Sequence, residues 1–127
     1  MQYYFKKRVN YSYDDAIEKT TQQLAKQGFG ILTTIDVKQT LKNKLNVDFD
    51  KYIILGACNP TFSHKALLAQ KDIGVLLPCN VLVYEDNKKV YVSILNPLVA
   101  MSVAGNDKLK DIAIEVTNKL KIVLDNL

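Results

Sequence analysis

The segment "CNVLVYEDNKKVYVSIL", residues 79–95, decides the fold because apolar side chains alternate along it on both sides of a polar turn. Two runs of period two joined by turn-forming residues predict an antiparallel β-hairpin. A turn at Asp86–Asn87 would place Val81 opposite Val92 and put Cys79 on the same, valine-rich face, which is the predicted core side. The other face then receives Leu82, Tyr84, Tyr91 and Ser93.

Further strands are predicted outside this hairpin. Aromatic and β-branched residues predict three strands, at residues 1–9, 29–37 and 51–59. The segment "IGVLLP", residues 73–78, is also predicted to be extended, and Pro78 favours a sheet edge or a bulge there. If it runs back beside the third strand, Cys79 arrives at the same end as Cys58.

Helix signals occupy the intervals between the predicted strands. Capping residues begin these helices, and left-handed positions end two of them, at Gly28 and Asn46. The expected N-caps are Ser12, Asp36, Asn59, Asn96 and Asn106. The sequence therefore predicts one α+β domain over residues 1–127, a two-layer sandwich with a mainly antiparallel sheet backed by helices. The strand–helix–strand order of the first half leaves parallel pairs open.

Charge and hydropathy exclude several classes of protein. The 127 residues carry a formal net charge of +4, but the lysines are scattered and form no basic arm. In "YYFKKR", alternation sends aromatic and basic side chains to opposite faces, so we expect no nucleic-acid partner. No apolar stretch approaches the ~20 residues of a membrane span, and the N-terminus lacks the pattern of a signal peptide. We expect a cytoplasmic protein with reduced cysteines and no membrane partner.

The sequence of the final helix predicts a contact with another protein chain. Its main apolar stripe is wide enough for one sheet contact, and Ile114 and Ile122 lie outside that stripe. We interpret this excess as a contact between two copies of the chain, so the sequence predicts a homodimer.

A candidate site lies between residues 58 and 79, which contain both cysteines and the only histidine. Cys58 ends a buried strand and Pro60 begins a helix, an arrangement in which backbone amides such as that of Thr61 can hold an anion. If Cys79 reaches the same end of the sheet, Cys58, His64 and Cys79 would form a three-ligand set of the type that a catalytic zinc uses.

Simpler interpretations of these residues stay open. Free cysteine often behaves as a small buried hydrophobe, and His64 can be a solvent-facing helix residue. The chain has no C-x-x-C pair, no glycine-rich nucleotide-binding motif and no G-x-S-x-G, so no cofactor is expected. Asn59 is explained by capping alone. Asn80 lies on a predicted strand, where asparagine is disfavoured, and a hydrogen bond to a loop or a ligand would explain it.

The quoted residues also carry a resemblance. The stretches "TLKNKLNVDFDKYIILGACNPTFSHKAL" (40–67), "IGVLLPCNVLVYED" (73–86) and "NPLVAM" (96–101) resemble the bacterial and archaeal family called domain of unknown function 302. The resemblance implies a small α+β dimer similar to the TATA-binding-protein-like fold group, and it implies no activity. Asn46 departs from the glycine expected at its position, and Ser63 from an alanine.

Three functional hypotheses follow from the sequence. The first is a cytosolic dimer that binds a small, anionic ligand through Cys58, Asn59, Thr61, His64, Cys79 and Asn80. The second is a thiol-dependent redox or metal-assisted enzyme, in which Cys58 and His64 would be catalytic. The third is a structural dimerisation module without pocket chemistry.

Overall fold

The predicted hairpin lies inside a five-stranded sheet whose strand order is β1-β5-β4-β3-β2. A computed structural model describes all residues, Met1–Leu127. The strands are β1 (Tyr4–Val9), β2 (Gly30–Asp36), β3 (Tyr52–Cys58), β4 (Cys79–Asp86) and β5 (Lys89–Leu95); the helices are α1 (Tyr13–Lys26), α2 (Val37–Leu45), α3 (Pro60–Ala69), α4 (Pro97–Ser102) and α5 (Lys110–Asp125). Short 3₁₀ helices cover Lys71–Leu76 and Asp107–Leu109.

All four strand pairs are antiparallel, so none of the parallel pairs that the sequence left open is formed. The α+β sandwich with an antiparallel sheet is confirmed. The β2–β3 connection contains α2 and is long enough for a parallel crossover, yet it joins antiparallel neighbours.

The hairpin turn was predicted one residue too early. The loop residues are Asn87 and Lys88, with φ of 51° and 65°, as a type I′ turn requires. Val81 therefore lies opposite Ile94 instead of Val92. Because the register changes by two residues, each side chain keeps its predicted face.

The core lies between the valine face of the hairpin and two helices. Val81, Val83 and Val92 are fully buried in one cluster with residues of α1 and α5. These two helices contact β1, β4 and β5. Leu24 of α1 and Leu120 of α5 are fully buried, as the helical stripes predicted. The core thus buries one face of the sheet and the inner sides of two helices.

The expected strand at 73–78 is wrong. Residues 71–76 form a 3₁₀ helix with an i→i+3 bond from Leu77 N to Gly74 O. Ile73 packs into a second apolar cluster, whereas Val75 is 86% exposed. "IGVLLP" lacks the apolar–polar alternation of a half-buried strand, and burial of a single side chain fits a tight turn better.

The start of the last helix differs from expectation, and the end of α2 agrees with it. Asn106 caps the 3₁₀ helix, accepting a hydrogen bond from Lys108 N at 3.0 Å, and α5 begins at Lys110. The left-handed end of α2 at Asn46 is confirmed by its φ of 53°. Ile114 and Ile122 lie on the outward face of α5, 38% and 44% exposed.

Replacing Gly56 with alanine should destabilise the fold. Gly56 is buried in β3, and a Cβ there would overlap Thr33 Oγ1 of β2 and lie 2.9 Å from Pro78 Cγ. Such overpacking costs about 1–3 kcal/mol in the free energy of unfolding, which urea denaturation would measure. Gly30→Ala is the control, since nothing lies within 4 Å of its added Cβ. Equal stability of the two variants would contradict this close packing.

Candidate functional site

The first predicted site residue, Cys58, lies at the junction of β3 and α3. Cys58 is the last residue of β3 and is half-buried. Its Sγ lies 3.0 Å from Ser63 Oγ in the first turn of α3. Cys58 is thus a thiol in a polar contact at a helix start, with partial access to solvent.

Three other predicted residues near this junction have separate roles. Asn59 does not cap α3 with its side chain, contrary to expectation; its Nδ2 donates to Gln27 O at 3.1 Å and ties the junction to the end of α1. Thr61 and His64 are exposed on α3. The imidazole therefore faces solvent and does not enter the interior with the sulfurs.

Cys79 is the buried member of the cysteine pair. It begins β4 and lies opposite Ala57, which precedes Cys58. Burial raises the pKa of its thiol to about 11, and the neighbouring Cys58 raises it further in the same direction. The cavity beside Cys79 and Ser63 measures about 20 Å³, which is space for about one water molecule.

The three-ligand set that the sequence suggested is not assembled. No group of three His, Cys, Asp or Glu side chains is placed to hold a metal ion. Asn80 is separated from the cysteines because it points to the other face of the sheet, where it lines a much larger cavity.

That larger cavity is an open pocket of about 420 Å³ on the sheet face opposite α1 and α5. Here it is called the sheet-face pocket. Four strands contribute to it: β1, β3, β4 and β5. Register brings Lys6 and Leu82 to either side of Ser93, so these three side chains form a row across the floor. The remaining lining residues are Tyr3, Tyr4, Tyr52, Asn80, Tyr84 and Leu95.

A row of aromatic rings bounds the pocket on one side. Tyr52, Tyr84 and Tyr91 are direct neighbours on three adjacent strands. The Tyr52 and Tyr84 ring centroids are 5.2 Å apart, and those of Tyr84 and Tyr91 are 5.5 Å apart, with interplanar angles of 17° and 27°. Phe49 extends the row at 6.1 Å from Tyr52. The stacked rings support one another and form a stiff apolar wall.

Few polar groups line this pocket, and they lie at separate positions. Lys6 Nζ lies 4.5 Å from the Tyr91 ring centroid and 5.4 Å from that of Tyr84. The contact with Tyr84 raises the pKa of Lys6. Burial raises the pKa of Tyr52, and Tyr84 contributes to the same shift. No carboxylate lines the pocket, so Lys6 is its one charged side chain at neutral pH.

The comparisons with known proteins agree with the fold. The sequence pattern of the family described as "Domain of unknown function DUF302" matches residues 5–127. This chain belongs to the DUF302 family. A solved DUF302 structure, the uncharacterised conserved protein from Bacillus stearothermophilus, is similar with a TM-score of 0.93 and 27% identity, over 99% of this chain and 98% of that one.

Two further findings bear on the class of protein. No curated protein matches this DUF302 sequence. None of its helices has the length and apolar character needed to cross a bilayer. The family membership predicted from the "GACNP" and "LPCN" segments is confirmed, and it names no activity.

Sequence reasoning missed the sheet-face pocket except at Asn80. The available signal was the second face of the hairpin, where Leu82, Tyr84, Tyr91 and Ser93 were predicted to lie together. A face with two tyrosines and a leucine in a chain too short for a second helical layer would have indicated an apolar cavity or contact surface. The contribution of β1, almost ninety residues away in sequence from Ser93, could not be read from local pattern.

The two cysteines should differ sharply in alkylation. At pH 8 a pKa near 11, against an ordinary value of 9.0, leaves roughly one hundredth of the usual thiolate at Cys79. Iodoacetamide should therefore modify half-buried Cys58 in the folded protein and reach Cys79 only in urea, as followed by mass spectrometry. Folded Cys58→Ser protein is the control and should stay unmodified. Rapid modification of Cys79 in that variant would contradict its burial.

Proposed function

We propose that this DUF302 protein is a binding domain for a small amphipathic molecule, held in the sheet-face pocket. The volume of about 420 Å³ falls within the 300–1,000 Å³ usual for small-molecule sites. Such sites combine apolar walls with a few separate polar groups, and this pocket has that composition. The ligand would rest its apolar body on Leu82 and Leu95 beside the tyrosine rings.

The observation that carries the proposal is Ser93 on the pocket floor. Ser93 is 6% exposed, yet it lines the cavity. Its hydroxyl takes part in none of the side-chain hydrogen bonds of the protein. The buried side-chain polar atoms without a partner are those of Thr20 and Thr117, so the Ser93 hydroxyl is accessible from the cavity, where a polar group of a ligand can replace water as its partner.

The earlier candidate around Cys58 and His64 has less support as a ligand site. The cavity there is about 20 Å³, and the imidazole is exposed on α3. A thiol-dependent activity of Cys58 and a homodimer through Ile114 and Ile122 stay predictions. Both can coexist with ligand binding, because α5 and the sheet-face pocket lie on opposite sides of the sheet.

The uncharged dye N-phenyl-1-naphthylamine tests the pocket, since it becomes fluorescent in apolar sites. We expect it to bind the wild-type protein, and we expect Leu82→Gln to raise its Kd about tenfold, because an amide replaces apolar floor. Leu68→Gln is the matched control: Leu68 is 75% exposed on α3, outside the pocket. This control should leave the Kd unchanged.

Two outcomes would overturn the proposal. In the first, Leu82→Gln leaves the dye affinity unchanged, or Leu68→Gln changes that affinity as much as Leu82→Gln does. The other is an absence of dye binding in a protein whose mass by light scattering is twice that of the chain, with Leu82→Gln restoring the monomer. That result would mean that a second copy covers the sheet face.

A further inference from the structure

We propose that Lys6 makes the sheet-face pocket selective for organic anions, molecules with a planar apolar body and one carboxylate, sulfonate or phosphate group. This inference rests on the proposed binding function and names the chemical class of its ligand. Lys6 projects from the edge strand β1 toward the pocket, and its neighbour across the strand pair is Ser93. The ammonium group and the free hydroxyl are therefore available to the same ligand head.

The charge of Lys6 has no carboxylate partner. The ion pairs of the protein are Lys42 with Asp48 and Lys51 with Glu85, and neither includes Lys6. Its observed partners are the faces of Tyr84 and Tyr91. A cation over ring faces keeps its attraction for an anion, because the rings are neutral and no acidic side chain lines the pocket.

The pocket supplies a complete set of contacts for an amphipathic anion. Lys6 and Ser93 can donate hydrogen bonds to the charged head, and the amide of Asn80 can bond to a polar substituent farther along the floor. The tyrosine wall and Leu82 would cover the planar body. Because Lys6 is exposed, water screens its bond to a charged head, and losing that bond should weaken binding about threefold.

Strand alternation provides the matched control. Lys7 follows Lys6 on β1 but points to the helix side, where its Nζ donates to Leu124 O at 3.2 Å. Lys6→Gln and Lys7→Gln therefore remove the same charge from adjacent residues on opposite faces of the sheet. Long-range electrostatic effects are shared by both variants, and a contact in the pocket is lost only in the first.

The test uses a pair of dyes that differ by one anionic group: 8-anilinonaphthalene-1-sulfonate and its uncharged parent, N-phenyl-1-naphthylamine. In fluorescence titrations at low salt we expect Lys6→Gln to raise the Kd of the sulfonate about threefold and to leave that of the parent unchanged. Lys7→Gln should change neither. Added sodium chloride should weaken sulfonate binding to the wild type more than to Lys6→Gln.

The possible failures are distinguishable. If Lys6→Gln leaves the sulfonate Kd unchanged while Leu82→Gln still weakens the parent dye, the anion preference is wrong and the binding function stands. If Lys6→Gln weakens both dyes equally, Lys6 acts by packing on the tyrosines, which also overturns the inference. If neither dye responds to Leu82→Gln, the binding function itself fails. Circular dichroism of each variant verifies the fold, and exposed Lys6 is not needed for it.

Discussion

Helices cover only one face of the sheet over its central strands, and the rest of the structure depends on that constraint. Strand alternation sends half of the side chains in β1, β4 and β5 to the face that α1 and α5 do not cover. The two longest helices of this 127-residue chain pack against the valine face. The uncovered face must therefore be stable next to water and still carry side chains suited to a strand.

The tyrosine row meets this requirement. Tyrosine combines a large apolar ring with a hydroxyl that water can reach, so it tolerates a half-exposed position better than leucine or phenylalanine. Cross-strand aromatic pairs contribute about 0.2–1 kcal/mol each to sheet stability. Two such pairs, Tyr52 with Tyr84 and Tyr84 with Tyr91, connect β3, β4 and β5 without a second helical layer. The residues of the pocket floor beside the tyrosine row are smaller, so this floor forms a trough.

Local pattern predicted the hairpin, its two faces, the α+β class and the helix caps at Ser12, Asp36 and Asn96. The expected caps at Asn59 and Asn106 were not both right, because Asn59 makes no side-chain cap and Asn106 caps the 3₁₀ helix. Local pattern failed where the decisive information is not local. The turn shifted because Lys88 adopts a positive φ that its residue type does not signal. The segment at 73–78 became a 3₁₀ helix because Ile73 is buried in the second apolar cluster and Leu76 and Leu77 pack against that cluster. The pocket joins β1 with β4 through β5, a juxtaposition that only the sheet order defines.

Residue chemistry directed attention to the opposite side of the sheet. Cysteine and histidine are the side chains with distinctive reactions, so Cys58, His64 and Cys79 suggested a site, but burial keeps the Cys79 thiol protonated and exposure keeps His64 apart from it. Recognition without catalysis needs shape, apolar surface and one uncompensated charge, and these come from common residues. Since β1 is an edge strand whose one strand partner is β5, a ligand that touches Lys6, Ser93 and Leu82 together would also fasten β1 to the middle of the sheet. Binding at the proposed site would thus be coupled to the stability of that edge through one row of three side chains.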